Sequence, residues 1–360
     1  MNVLLITPNL KPGGSQKILV SLFNNLNSNT YILNYKKNEN FLAHFLKNKS
    51  KLINSNSKFI TLSFFELREI INDKKIDVIV SSVRTINILI GLYSFLFSKK
   101  LKIFYHEPNV LTEFENLNIK LILRKLLMKI SYSRAVKIIA NSNDTRRDLL
   151  NHNIVKDSKI TVISNPIDLD IEDHKLDVRF NEILSKDKFI IISCGSLTYQ
   201  KNFELLINAF KEVKKNRTNA FLVILGDGVL KENLQKVSNN LELSDDILFL
   251  GNVKNPQSYF KLANLYVCSS IYEGFGGTIV EAMLLGLPVV STNCPGGPKE
   301  ILENGKKGYL VKNNDIDELR NGILKSIDNP IRYSVNEIKD KYLSMNIAKK
   351  YMNVFNEKNN

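Results

Sequence analysis

Short β-branched apolar runs alternate along nearly the whole chain with stretches whose apolar residues recur at helical spacing. That alternation is the mark of βαβ units and parallel sheets. In the first half it predicts strands at 2–7, 30–33, 58–62, 78–81, 102–105, 137–141 and 160–163. In the second half it predicts strands at 189–194, 220–225, 247–250, 265–268, 289–292 and 308–311. Helical patterns at 16–26, 145–151, 202–215, 230–239 and 278–285 fill gaps between them, so the reading is α/β, with two Rossmann-like doubly wound sheets in series. Asn165-Pro166-Ile167-Asp168 closes the first series, and the polar stretch after it reads as a linker at about 166–186. The expected domains are 1–168 and 169–335, with a C-terminal segment 336–360. Ligands of open α/β sheets bind outside the carboxyl ends of the strands, which places the chemistry in strand-to-helix loops lining a cleft between the two sheets.

Composition excludes several classes. With 360 residues, 44% hydrophobic and 24% charged, the chain is of globular type and long enough for two cores. Cys194, Cys268 and Cys294 are widely spaced and form neither a disulfide framework nor a paired metal motif, which suits a reducing cytoplasm. The opening MNVLLITPNL lacks the basic and apolar regions of a signal peptide. The apolar run 86–97, interrupted by Asn87, is shorter than the ~20 residues that span a bilayer. A soluble or peripheral protein is expected. The net charge of +14 is lopsided: residues 1–167 carry 25 Lys and Arg against 11 Asp and Glu, whereas residues 168–360 carry 25 of each. Such asymmetry points the first half at an anionic surface: nucleic acid, a membrane leaflet or a phosphorylated substrate.

Three loops stand out. The first contains Gly13-Gly14 between a strand and a helix, where the backbone can approach a bound anion at the helix start. It matches neither GxGxxG nor a Walker loop. The second runs Cys194-Gly195-Ser196-Leu197-Thr198-Tyr199-Gln200-Lys201-Asn202, with Lys201 able to meet a diphosphate as a point charge. A third segment, Glu273-Gly274-Phe275-Gly276-Gly277-Thr278, follows an apolar strand and enters a helix that carries Glu281 among Val280, Ala282 and Met283. Its glycines expose amides at a helix N-terminus, an anion cradle, and a carboxylate in apolar company needs a hydroxyl or cation partner. Two carboxylates flanking a phosphate cradle suit a nucleotide sugar.

With these residues in place the chain resembles the family 4 retaining glycosyltransferases of the GT-B fold. The resemblance runs through Gly13-Gly14, Asn141-Ser142, Asn165-Pro166, Gly195…Lys201-Asn202, Gly226-Asp227-Gly228, Glu273-x7-Glu281 and the run from Gly286 to Glu300. It is nearest to members that build bacterial surface polysaccharides. It implies an acceptor-binding first domain, a donor-binding second domain and a final helix, near 347–355, crossing back to the first. It further implies catalytic roles for Glu273, His106 and Lys201, with Glu273 on the donor hexose and Glu281 on the ribose. Donor contacts are implied at Gly13, Gly14, Ser196, Lys201, Gly274, Phe275, Gly276, Gly277, Thr278 and Glu281. The family commonly has Arg where this chain has Ser196, so the diphosphate falls more heavily on Lys201 or on another base.

His106-Glu107, after the strand 102–105, is read as pointing into the cleft, or else as a strand-end polar pair. His44, His152 and His174 have no ligand spacing, Asp168–Asp170 falls in the linker and Asp315–Asp317 reads as a helix cap, so no metal is expected. The stretch 120–130 places Leu123, Leu126, Leu127 and Ile130 on one helical face and Lys120, Arg124, Lys125 and Lys129 on the other. That is either a solvated face over a packed stripe or a basic helix for anionic lipid. The resulting expectation is a retaining, metal-independent hexosyltransferase without a cofactor. It moves a hexose or N-acetylhexosamine, of Gal or GalNAc type in α linkage, from a UDP-sugar to a polyprenyl-diphosphate-linked glycan or lipopolysaccharide precursor, peripherally at the inner face of the cytoplasmic membrane. The alternatives are a GT-B UDP-sugar epimerase and a basic nucleic-acid-binding protein; the latter lacks an aromatic-basic recognition motif, and no nucleic-acid partner is expected.

Overall fold

The computed structural model describes residues 1–11, 13–56, 63–98, 100–108, 119–169 and 175–357. The strand expected at 58–62, Asp170 and His174 lie outside them, as does the side chain of Lys120. The chain divides into two compact units, one of residues 1–168 with 341–360, the other of residues 169–340.

In the first unit, the strands among the described residues are β1 (Asn2–Thr7), β2 (Asn29–Asn34), β3 (Leu52–Asn54), β4 (Val78–Ser81), β5 (Lys102–Glu107), β6 (Lys137–Ala140) and β7 (Ile160–Val162). They form one parallel sheet in the order β3-β2-β1-β4-β5-β6-β7. In the second unit, β8 (Phe189–Cys194), β9 (Ala220–Leu225), β10 (Ile247–Gly251), β11 (Leu265–Cys268), β12 (Val289–Thr292) and β13 (Tyr309–Val311) form a parallel sheet in the order β10-β9-β8-β11-β12-β13. In each sheet the order reverses beside its first strand, the topological switch point of doubly wound folds. Parallel strands are covered on both faces, which is why β9 reads AFLVIL and is buried at every position.

The last helix, Ser344–Asn356, belongs to the first unit: Ile347, Ala348, Tyr351, Val354 and Phe355 enter the same core as Val3, Leu5 and Phe104. Ile167 and Leu343 bridge in parallel, and the Ser344 hydroxyl donates to Asp168.

Three local readings need correction. The expected linker 166–186 contains a helix, Val178–Leu184, capped by Asp177 and held by Phe180 packing edge-on against Tyr259 at 5.0 Å between ring centres. Strand β5 does not end at Tyr105; His106 and Glu107 continue it, in register with Ile139 and Ala140 of β6. The helix over the basic stretch, Ile119–Ser133, is rotated from the expected orientation. Leu123, Leu126 and Ile130 face outward with Ile122, whereas Met128 and Tyr132 are buried and Arg124 and Lys125 are half-buried. The rotation is set by polar and small residues rather than by leucine density. Gly91 lies so close that a Cβ there would stand 2.3 Å from the Ser131 Cβ. The Ser131 hydroxyl donates to the Ile88 carbonyl at 2.9 Å, and the Tyr132 hydroxyl donates to buried Glu107.

Candidate functional site

In the second unit, β8 and β11 are adjacent, and the loops after them carry Lys201 and Glu273. Though 72 positions apart in the chain, the two form an ion pair of 2.5 Å, with Lys201 Nζ on Glu273 Oε1. The Ser270 hydroxyl donates to the same oxygen at 2.6 Å, and the Cys268 thiol lies 3.8 Å from it. Both charged side chains are largely withdrawn from water. Burial alone would lower the Lys201 pKa; the adjacent Glu273 carboxylate outweighs it, and the net shift is upward. Burial, reinforced by Glu273, pushes the Cys268 thiol up, so it is a neutral donor rather than a nucleophile.

The backbone around the pair is fixed from several sides. Ser269 donates to the Lys201 carbonyl at 2.9 Å, the Ile271 amide to the Gln200 carbonyl at 2.8 Å, and the Thr292 hydroxyl to the Ser270 carbonyl at 2.6 Å. The Lys201 stem runs past Gly195, where a Cβ would sit 3.1 Å from its Cε. Gly226, at φ +132°, leaves no room for a side chain: a Cβ would fall 1.9 Å from the Gly195 carbonyl oxygen. The Gly226-Asp227-Gly228 turn therefore supports the loop that carries Ser196 and Lys201, and Ser196 itself is exposed.

A second clamp was not resolved by sequence reasoning beyond its likeness to the family. The Glu273 amide donates to the Pro295 carbonyl at 2.9 Å. Gly296, at φ +113°, and Gly297 press onto the Glu273–Phe275 backbone, so that a Cβ would stand 1.9 Å from the Glu273 oxygen and 1.8 Å from the Phe275 oxygen. The glycine pair is the signal that marks this approach in the sequence. Gly274, Phe275 and Gly276 are buried beneath it; Gly277 and Thr278 open the helix Gly277–Leu284. The Tyr266 hydroxyl donates to Thr278 Oγ1 at 2.7 Å. Glu281, one turn into that helix, is half-buried.

The first unit carries the rest of the candidate residues. Gly13 caps and Gly14 begins the helix Gly14–Asn25 after β1, and a Cβ on Gly14 would meet nothing within 4 Å, so packing does not demand that glycine. The Ser82 hydroxyl, just past β4, donates to the Ser15 carbonyl at 3.0 Å. His106 is fully buried in β5, its ring 6.5 Å from that of Tyr351. Burial pushes its pKa down to about 4; the Asn165 side chain opposes this, although neither ring nitrogen nor Asn165 Oδ1 reaches hydrogen-bond geometry. The imidazole is thus neutral at physiological pH. Glu107 is equally buried but saturated: it accepts from Arg84 Nη2 at 2.9 Å, from Arg84 Nε at 3.1 Å, from Asn87 at 3.3 Å and from the Tyr132 hydroxyl. That network fixes the end of β5 and is structural.

The His106 shift has a measurable consequence. An unfolded histidine titrates near ~6.5, so between that pH and about 4 the unfolded chain binds a proton that the folded one refuses. Stability is fully present above that window and falls as pH drops through it, by about 3 kcal/mol if the whole shift is expressed. Denaturant titrations at several pH values should show the loss, and His106→Gln should flatten that part of the slope. An unchanged slope in His106→Gln would assign the pH dependence to other groups.

Of the Asp-x-Asp strings, Asp315, Asp317 and Asp168 lie among the described residues. Asp315 caps the helix Ile316–Asp328 by accepting from the Glu318 amide at 3.1 Å, and Asp168 accepts from Ser344. His44 stacks beside Phe45 at 4.0 Å and His152 lies 3.5 Å from Asp148. No group of three or more His, Cys, Asp or Glu among the described residues is arranged to hold a metal.

Two family models match the chain: glycosyl transferases group 1 over residues 175–346, and glycosyltransferase family 4 over residues 36–171. A Campylobacter jejuni N-acetylgalactosamine-N,N'-diacetylbacillosaminyl-diphospho-undecaprenol 4-alpha-N-acetylgalactosaminyltransferase is 30% identical over 78% of this chain and 75% of its own. A Methanocaldococcus jannaschii glycosyltransferase is 38% identical over 49% of this chain, a segment spanning 44% of that protein. Among solved structures, Anabaena HepE in complex with UDP superposes with TM-score 0.80 at 18% identity, covering 98% of this chain and 99% of its own. The lipopolysaccharide outer core galactosyltransferase WaaB superposes with TM-score 0.74 at 19% identity, over 98% and 99% of the two chains. The two doubly wound sheets are those of the GT-B fold.

Proposed function

Since the chain belongs to the GT-B glycosyltransferases with group 1 and family 4 domains, we propose that it moves a hexose or N-acetylhexosamine from a UDP-sugar to a lipid-linked glycan. The observation that carries the reading is the Lys201–Glu273 pair, held at neighbouring strand ends beside a glycine-rich helix start in the second unit. A buried cation locked in place by a carboxylate, next to the amides of a helix N-terminus, is suited to a departing diphosphate, whose charge grows in the transition state. Glu281, half-buried on the helix that follows, is suited to ribose hydroxyls, and Glu273 both orients Lys201 and lies where a donor sugar would sit. Gly13 and Gly14 serve as an open amide turn for the donor, and His106 as a neutral ring behind the end of β5.

The acceptor is a polyprenyl-diphosphate-linked glycan or lipopolysaccharide precursor, in keeping with the printed substrate of the Campylobacter relative, and the sugar is of Gal or GalNAc type. Transfer proceeds with retention, giving an α linkage. The acceptor oxygen attacks C1 on the face that UDP leaves, the C1–O bond to the diphosphate breaks, and a diphosphate oxygen takes the acceptor proton. Catalysis then consists of positioning and leaving-group stabilisation. Lys201 and the amides supply the counter-charge, so a divalent metal is dispensable. The enzyme works peripherally at the inner face of the cytoplasmic membrane; no helix among the described residues is long and apolar enough to cross one.

The test is transfer of labelled sugar from a panel of UDP-sugars to extracted lipid-linked acceptors, with and without excess EDTA. Transfer from one UDP-sugar, with an α product and unchanged in EDTA, is expected. Interconversion of UDP-sugars without transfer would favour an epimerase. Activity abolished by EDTA and restored by Mg2+ or Mn2+ would remove the metal-free account.

A further inference from the structure

The second unit has a cavity of about 350 Å³ at the end of its sheet opposite Lys201 and Glu273. Phe189 opens β8, and Asn264 and Pro288 immediately precede β11 and β12, so the beginnings of adjacent strands form its floor. The six residues of β8, about 17 Å of extended chain, separate it from the loop that carries Lys201. Its walls are pinned by hydrogen bonds. Asn264 Oδ1 accepts from the Ile190 amide at 2.7 Å, and the Tyr266 amide donates to the Pro288 carbonyl at 3.0 Å. The Tyr333 hydroxyl donates to the Leu287 carbonyl at 2.5 Å. A preformed hollow of this volume is of the size that takes a small ligand.

The lining has one consistent chemistry. Phe189, Leu287, Pro288 and Ile327 make apolar walls, and the polar side chains between them present hydrogen. Lys261 and Arg332 can only donate. Asn264 has its oxygen engaged by Ile190, which leaves its NH2 group for another partner. Ser326, in the last turn of the helix Ile316–Asp328, is 3% exposed, and its hydroxyl has no hydrogen-bond partner among the described residues. A buried hydroxyl without a partner is destabilising, and a ligand oxygen that accepted from it would offset the loss. Among the described residues no acidic side chain lines the cavity, and Asp328, next after Ile327, is paired with Arg217. We propose that the cavity binds a small organic anion with an apolar body. The anionic group meets Arg332, Asn264 and Ser326, and the body lies against Phe189 and Leu287. This is a second ligand site, apart from the Lys201–Glu273 pair, and it does not depend on the glycosyl-transfer reading.

The test uses the full chain and two fluorescent probes that share an apolar body. Anilinonaphthalenesulfonate carries an anionic group, and phenylnaphthylamine lacks it. Wild type should bind the sulfonate at least about tenfold more tightly than the neutral probe, and saturating UDP should not displace it. Arg332→Gln, at an exposed position, should weaken the sulfonate about tenfold and leave the neutral probe unchanged, the loss expected of a hydrogen bond to a charged group. Ser326→Ala should weaken the sulfonate severalfold and yet melt no lower than wild type without probe, since the hydroxyl it removes has no partner in the folded chain among the described residues. Equal affinity for the two probes would reduce the cavity to an apolar hollow and overturn the proposal. Sulfonate binding unaffected by both substitutions would place the probe elsewhere and overturn it, as would displacement by UDP. A wild type that binds neither probe would overturn it outright.

Discussion

Lys201→Met is expected to reduce sugar transfer about a hundredfold or more, the scale of losing one preorganised charge at a transition-state oxyanion. It should also destabilise the second unit. Glu273 would keep only the Ser270 hydroxyl and the Cys268 thiol, leaving a buried carboxylate without its cation. Breaking a buried pair from one side costs about 3–5 kcal/mol, because the stranded charge keeps its desolvation cost. The double variant Lys201→Met, Glu273→Gln should recover much of that stability and none of the activity. Glu281→Ala gives the contrast: weaker UDP binding with wild-type stability, since ribose hydroxyls are held alike in ground and transition states. Steady-state kinetics, UDP titration and denaturant unfolding on the four proteins separate the two effects. If Lys201→Met transfers sugar at the wild-type rate, the pair is a structural bridge and the diphosphate is held elsewhere.

Gly296→Ala is expected to be nearly as damaging, although residue 296 carries no chemistry. Its φ of +113° lies where L side chains are strained, and its Cβ would fall 1.9 Å from the Glu273 carbonyl oxygen, an approach no real structure tolerates. The 295–297 loop must move off the Glu273–Phe275 turn, which breaks the hydrogen bond from the Glu273 amide to the Pro295 carbonyl and frees the carboxylate from its register. Combined strain and lost contact should cost about 2–4 kcal/mol and abolish UDP binding. Gly305→Ala is the control, because φ there is also positive, at +91°, while a Cβ would meet nothing within 4 Å. It should show the backbone penalty alone, about 1 kcal/mol, with UDP bound normally. Equal losses in the two variants would mean that the clamp contributes nothing beyond backbone strain.

Most of the fold was legible because parallel strands buried on both faces are nearly pure apolar runs, and β1, β4, β8, β9, β11 and β12 have the expected limits. Strand β3 escaped because it is three residues long in an Asn- and Lys-rich stretch, recruited by pairing with β2. The helix Val178–Leu184 escaped because it opens in a polar segment and is held by one aromatic contact with a residue far along the chain. The Ile119–Ser133 helix was found but turned the wrong way. Its orientation depends on Gly91, Ser131 and Tyr132, whose contacts join distant residues and leave no periodic trace. The candidate site shows the same division. Lys201, Glu273 and their glycines stand out singly by residue type and neighbours, but that one carboxylate oxygen serves Lys201 and Ser270 at once is a property of adjacent strand ends.

The final helix has a consequence for how the chain is made. The first unit is left at residue 168 and regained only at 341, and the helix Ser344–Asn356 fills the core over Val3, Leu5 and Phe104. On the ribosome, 1–168 therefore emerges without Ile347, Tyr351 and Phe355, its apolar face open while the whole of 169–340 is translated. Multidomain chains ordinarily complete their domains in order of synthesis. Here the later domain is the first that can finish, and the earlier one waits for the helix Ser344–Asn356. A chain cut between residue 340 and Ile347 has a sound second domain attached to a sticky, unfinished first one, a product marked for chaperones rather than for function.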